Sequence, residues 1–317
     1  MKSILQNKKS RRIFISLIIC LLAIIFLARA YVLTNFHSQI LNGVNTEEPV
    51  WHALSVRLLD SIFVSLFVTV AVGLFMFYIE IPDDDKKFDI VESLRLEEMF
   101  DRELAQTDSW HFSGGMGRHT RAKTILYLDK AAKASNQQKS LKIQLLNPAD
   151  ETLCTQYASY RGNLRSAKKN KADWTSDFVR RELLSTILIA SIYKTNNANL
   201  DITIRLKNNF STLRIDLSSK AGIITKEDKN EPALICRDGS FLYKAYKEEL
   251  IQTYKLYPEL RLQLPNTYKT SAITTNDVKE IIDFLGASNN IELNRKLVLD
   301  DYKAICKTVK DNKNPYA

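Results

Sequence analysis

The chain has 317 residues, 45% of them hydrophobic and 26% charged, with a net charge of +9. That average excludes a low-complexity or collagen-like chain and matches an ordinary globular protein, but it conceals a split, because the longest apolar runs fall within the first 82 positions. The positive balance suits an anionic membrane surface or a nucleic-acid partner and by itself selects neither.

Four cysteines, Cys20, Cys154, Cys236 and Cys306, lie far apart and form no CxxC pair. This excludes a disulfide scaffold and predicts buried thiols in a reducing compartment. No metal-ligand cluster is visible, and no cofactor is expected. The histidines are His37, His52, His111 and His119.

Residues 1–82 predict a membrane anchor with two transmembrane helices, at about 13–36 and 61–81. The core of the first, IFISLIICLLAIIFLA, carries no charge, and roughly 20 apolar residues cross a bilayer. A cleaved signal peptide is the rival reading of this run. The second, SIFVSLFVTVAVGLFMFYIEI, stops at Pro82 and three aspartates. Lys2, Lys8, Lys9, Arg11 and Arg12 precede the first span, so both termini are expected in the cytoplasm and the protein in a bacterial inner membrane. Arg29 and Asp60 either snorkel to water or pair across the hairpin.

Residues 83–108 predict an amphipathic connecting helix, with Phe88, Val91, Leu94, Met99 and Phe100 at near-helical spacing. From 109 to 256 the chain alternates. Strands are expected at 109–112 and 141–146, and helices at 118–135, 150–165 and 177–194. A β-rich stretch follows at 200–236, then a helix at 241–256. This order predicts an α/β fold, a sandwich with a mixed sheet. Residues 257–317 read as a helical C-terminal extension, with helices at 275–285 and 293–310.

Two stretches suggest binding. In SGGMGRHTR (113–121), glycines follow a strand and basic residues follow the glycines. Ser113, Gly114, Gly115, Gly117, Arg118, His119 and Arg121 are therefore candidate ligands for a phosphate or nucleotide. The loop is neither a Walker A nor a GxGxxG sequence, and the plainer reading is a strand-to-helix turn. The second stretch is a basic run, with Tyr160, Arg161, Arg165, Lys168, Lys169 and Lys171 as candidate nucleic-acid or partner contacts and Arg180 and Arg181 beyond them. Tyr157, Tyr160 and Trp174 interleave it. Basic residues with aromatics suit a single-stranded nucleic acid, and the plainer reading is a solvated helix face.

The stretch from 109 to 225, continued through PALICRDGSFLYKAYKEEL, resembles a single phospholipase D-like domain. Active members carry His-x-Lys-x-x-x-x-Asp, and the matching NNFSTLRIDLSSK (208–220) has no histidine. His119 is followed by Arg121, with Leu126 where the Asp would stand. The resemblance therefore implies a domain without catalysis. Two spans plus such a domain resemble the two-transmembrane effectors of bacterial anti-phage systems, of the retron type. That likeness implies a membrane-perturbing toxin contacting membrane lipid, oligomeric when active, restrained by a reverse transcriptase and its DNA–RNA product. A nucleotide-gated membrane effector is the alternative. A membrane-tethered hydrolase or transferase using His111 or His119 is the third reading.

Overall fold

The structure is a computed structural model that describes residues 16, 20, 22–28, 30–31, 50–79, 87–170, 174–228 and 230–314. It divides into two units, Met1–Asp85 and Lys86–Ala317.

In the first unit, helix α1 spans Val50–Ile79. The expected transmembrane hairpin is corrected here. Among the described residues no helix is long and apolar enough to cross a membrane. Most of the 13–36 stretch lies outside the described residues. The inner-membrane location and the toxin reading rested on two spans, and they fall with them. Arg29 lies outside the described residues, and Asp60 is half-buried in α1.

The second unit holds an eight-stranded mixed sheet in the order β1-β7-β6-β5-β2-β3-β4-β8. Its strands are β1 (Phe88–Val91), β2 (Ser109–Ser113), β3 (Lys139–Leu146), β4 (Leu200–Lys207), β5 (Leu213–Ser218), β6 (Ala221–Lys226), β7 (Ala233–Arg237) and β8 (Glu259–Leu260). β2, β3 and β4 run parallel, and all other neighbours are antiparallel. The helices are α2 (Leu96–Ala105), α3 (Ile125–Ser135), α4 (Glu151–Gly162), α5 (Arg165–Asn170), α6 (Ser176–Asn196), α7 (Phe241–Leu256), α8 (Thr275–Asn289) and α9 (Leu299–Asp311).

The connecting helix expected over 83–108 is only partly helical. Phe88–Val91 is a strand, pairing antiparallel with Ala233–Cys236, and α2 begins only at Leu96. A sheet edge supplies the backbone of Phe88–Val91 with partners that its own near-helical spacing cannot reveal.

Local signals account for most of the other elements. In β4, Leu200, Ile202, Ile204 and Leu206 alternate into the core, as a half-buried strand requires. Asp150 caps α4, its carboxylate accepting from the Leu153 N–H at 2.9 Å, which satisfies an otherwise orphaned donor. Thr274 and Asp277 form a capping box on α8. That helix runs through Gly286, where a Cβ would meet the Ile291 carbonyl at 2.9 Å. Gly286 therefore permits a close backbone approach, and Asn290, at φ 53, ends the helix.

α6 lies in the main core and buries nearly its whole length, with Val179, Leu183, Leu184, Ile187, Leu188 and Ile192 at 1% exposure or less. A helix apolar on several sides needs cover on several sides. β3 and β4 supply one side. α4, α8 and α9 supply the rest, with Val278, Ile281, Leu285, Ile305 and Val309 in the same core. The stretch from 257 to 314 is thus packed into this unit. On the opposite sheet face, Tyr243 and Leu250 of α7 cover Leu217, Ile224 and Cys236. Cys154, Cys236 and Cys306 are free and buried.

Candidate nucleic-acid interface

The carboxyl ends of the parallel strands lie side by side at Ser113, Leu146 and Lys207. In open parallel sheets this edge is where ligands bind. β6 runs in the same direction and ends at Lys226, which brings Glu227 and Asp228 to the same edge. The SGGMGRHTR loop leaves β2, and α4 follows β3.

The glycine loop is closed by the protein itself. The Gly115 N–H donates to the Glu227 carboxylate at 3.0 Å, and the Gly114 N–H donates to the Gln144 carbonyl at 3.2 Å. A Cβ at Gly114 would meet the Phe112 ring at 2.5 Å, and one at Gly115 would meet the Tyr157 hydroxyl at 2.1 Å. Gly117 has φ +67, a left-handed conformation that favours glycine. The basic residues after the loop are engaged too. Arg118 and Arg121 both pair with Glu182, at 3.0 and 2.8 Å, and Lys123 bridges Glu97 and Asp101. The N–H that an anion would use thus already holds a carboxylate.

The two histidines flanking this loop are buried and neutral. Burial, with Lys142 nearby, lowers the pKa of His111 to about 4. Burial, then Arg214 and Lys123, holds His119 well below the ordinary histidine value, and its ring packs 4.5 Å from that of Phe100. Among the described residues, no group of His, Cys, Asp and Glu is arranged to hold a metal ion.

Beside the loop lies a polar cluster without a local signal in the sequence. Lys207, at the end of β4, is 5% exposed. Desolvation lowers its pKa to about 8, with Glu227 acting in the opposite direction, and its Nζ lies 3.3 Å from the Ser113 hydroxyl. Arg161 lies 3.8 Å from Glu227, and its guanidinium stacks over Trp174 at 4.7 Å. The Nε and Nη1 of Arg161 are buried without a hydrogen-bond partner among the described residues. Burial, with the nearby charge of Glu227, pushes the Tyr157 phenol well above its usual value. Burial opposes ionisation of Asp228, yet hydrogen bonds from Asn230 and Ser166 hold its carboxyl below the usual range.

The basic run divides into two parts. Arg180 donates to the Pro148 carbonyl at 3.1 Å and to that of Arg295, and Arg181 pairs with Asp301 at 2.8 Å. These two arginines tie α6 to neighbouring segments. The other part follows the end of α4. Tyr160 is half-buried, with its ring 5.5 Å from that of Phe210. Arg165 opens α5, exposed. Lys168 and Lys169 continue α5, their side chains outside the described set, and Lys171 lies outside the described residues.

No known protein family and no curated protein matches this chain. The phospholipase D-like and retron-effector resemblances are accordingly not upheld. Among solved structures, the chain is similar to TrmBL2, an archaeal chromatin protein whose structure shows a novel mode of DNA binding. The match is 12% identical over 66% of this chain and 67% of that one, with a TM-score of 0.32. A likeness that loose carries no argument about fold or function.

Proposed function

We propose that the Lys86–Ala317 unit is a nucleic-acid-binding domain without catalytic activity, and that it takes a phosphate backbone on the surface formed by the end of α4 and by α5. The observation that carries this reading is a basic stretch that holds no acid of its own. Residues 1–85 hold seven basic and seven acidic residues, so the whole excess of +9 belongs to 86–317. Much of that unit's positive charge is paired, as at Glu182, Glu97 and Asp301. Residues 152–172 contain Arg161, Arg165, Lys168, Lys169 and Lys171 and no acid. Partly buried aromatics, Tyr160 and Trp174, pack beside this stretch. Cations follow the backbone of a strand, and aromatic faces stack its bases. The nucleotide reading at the glycine loop is weaker, because Glu227 and Glu182 already occupy its donors.

The test is binding of a labelled single-stranded oligonucleotide to the full chain across a salt series. Arg165→Glu, Lys168→Glu and Lys169→Glu together should weaken binding. They should also flatten the log–log salt plot by about 0.7 for each phosphate that is no longer neutralised. Helix content should stay unchanged, since Arg165 is exposed. Equal affinity with an equal slope would reduce the run to a solvated helix face.

A further inference from the structure

At the amino ends of β2 and β3, on the sheet face covered by α7, lies a cavity of about 270 Å³. β2 lines it with Ser109, Trp110 and His111, β3 with Lys142, and α7 with Tyr243 and Lys247. The other end of the same strands carries the α4–α5 surface, so the two places are separate.

The polar groups here differ in whether they are used. The Ser218 hydroxyl donates to the Ala221 carbonyl at 3.1 Å, and that of Ser219 pairs with Thr107. The Tyr243 hydroxyl donates to the Ser218 carbonyl at 2.9 Å, and the Trp110 N–H donates to Asp216 at 3.0 Å. Five groups have no hydrogen bond or ion pair among the described residues: the Ser109 and Ser140 hydroxyls, the ammonium groups of Lys142 and Lys247, and one nitrogen of His111.

The hydrogen-bond network fixes which nitrogen that is. The Gln144 side-chain amide donates to the Leu250 carbonyl at 3.2 Å, so the same NH₂ group, 3.1 Å from His111 Nε2, donates there as well. Nε2 therefore accepts, and the single proton of the neutral ring sits on Nδ1. Nδ1–H is a donor without a partner among the described residues. The residue as a whole is only 9% exposed, and Nδ1 is not among its buried atoms, so the N–H is open to the cavity.

The lining thus offers two ammonium groups, a fixed N–H donor and two hydroxyls, and it contains no Asp or Glu. Its remaining walls are the apolar surfaces of Trp110, Leu217, Tyr243 and Ile251. A cationic set of donors beside an apolar wall fits a doubly charged head on a compact apolar body. The volume lies just below the range of about 300–1,000 Å³ typical of drug-sized sites, so the ligand is small. We propose that this cavity binds a small phosphate monoester, with Lys142, Lys247 and the His111 N–H on the phosphate and the ester's apolar body against Trp110 and Tyr243.

Phenyl phosphate is a suitable probe, titrated into the full chain by calorimetry beside inorganic phosphate. Saturable binding of phenyl phosphate, tighter than that of inorganic phosphate, is expected. Lys142→Met with Lys247→Met should weaken it by roughly tenfold or more, since hydrogen bonds to charged groups are the strong ones. The ammonium groups of Lys142 and Lys247 lie over the rings of Tyr254 and Tyr243, at 5.6 and 5.7 Å, and methionine gives up those contacts, but both lysines are exposed. The fold should therefore persist, as circular dichroism would verify. Oligonucleotide binding at α4–α5 should not change, so the two readings fail independently. No saturable heat at millimolar phenyl phosphate overturns the proposal. Equal affinity in the double variant, or inorganic phosphate binding as tightly as the ester, overturns it as well.

Discussion

Arg214→Met is expected to destabilise the Lys86–Ala317 unit by about 3–5 kcal/mol, the cost of leaving a buried charge without its partner. Arg214 Nε lies 2.6 Å from Asp216 Oδ2, and the two side chains are 6% and 0% exposed. The other carboxylate oxygen accepts from the Trp110 indole at 3.0 Å. The guanidinium also lies over the rings of Phe100 and Phe112, at 5.1 and 5.4 Å. Methionine fills much of the same space between those rings, so the loss is mainly that of the positive charge.

The pH dependence separates this cause from a packing defect. Burial raises the pKa of Asp216, while Arg214 and the Trp110 hydrogen bond hold it down. Removing Arg214 lets it rise further. A raised carboxyl binds a proton in the folded state that the unfolded chain, with a pKa near 3.9, releases. Stability of the variant should therefore recover as pH falls through the folded pKa. Urea unfolding at pH 5 and pH 8 should show the smaller deficit at pH 5. Arg214→Met with Asp216→Leu should be more stable than Arg214→Met alone, because no charge is then stranded. A loss below about 1 kcal/mol, or one equal at both pH values, would mean that Asp216 is not carried by this pair.

How much of this was legible in the sequence varied with the range of the interaction. β4 shows in the alternation of LDITIRL and the start of α4 in Asp150, because both signals are local. The strand at Phe88–Val91 is four residues long and owes its conformation to Ala233–Cys236, far along the chain. Spacing within 83–108 therefore favoured a helix. The glycines of 113–121 mark close approach correctly. A sequence cannot say whether the approaching atoms belong to a ligand or to Phe112, Tyr157 and Glu227. Arg180 and Arg181 look like Arg161 and Arg165 in the chain. Their partners, Pro148, Arg295 and Asp301, are supplied by tertiary packing. Lys207 and Glu227 form no motif at all, since only the shared direction of β4 and β6 carries both to one edge. The apolar runs before position 82 predict spans by composition, a count that says nothing of how the residues are placed.

Lys207→Met is expected to stabilise the same unit at neutral pH by about 3 kcal/mol, which is unusual for the loss of a charged residue. The ammonium is nearly fully buried, and desolvation brings its pKa down to about 8, against about 10.4 for an exposed lysine. Each unit of such a shift corresponds to about 1.4 kcal/mol. Glu227 offsets part of the burial cost, and its effect is already contained in the lowered value. Below pH 8 both folded and unfolded chains carry the proton, so the cost is present in full. Between about 8 and 10.4 the folded chain releases its proton first, and the cost falls. The gap between variant and parent should therefore be widest below pH 8 and close towards pH 10.5. Glu227 is not stranded by the change, because it keeps the Gly115 N–H at 3.0 Å and Arg161 at 3.8 Å. Thermal unfolding across pH 7–10.5 reads both the size and the trend. A variant less stable than the parent, or a gap that does not narrow with rising pH, would show that Lys207 is not strained by its burial. A costly buried cation at the carboxyl edge of a parallel sheet is the pattern expected of a group retained for binding. The same variant therefore belongs in the oligonucleotide salt series, where weaker binding despite a higher melting temperature would attach Lys207 to the α4–α5 surface.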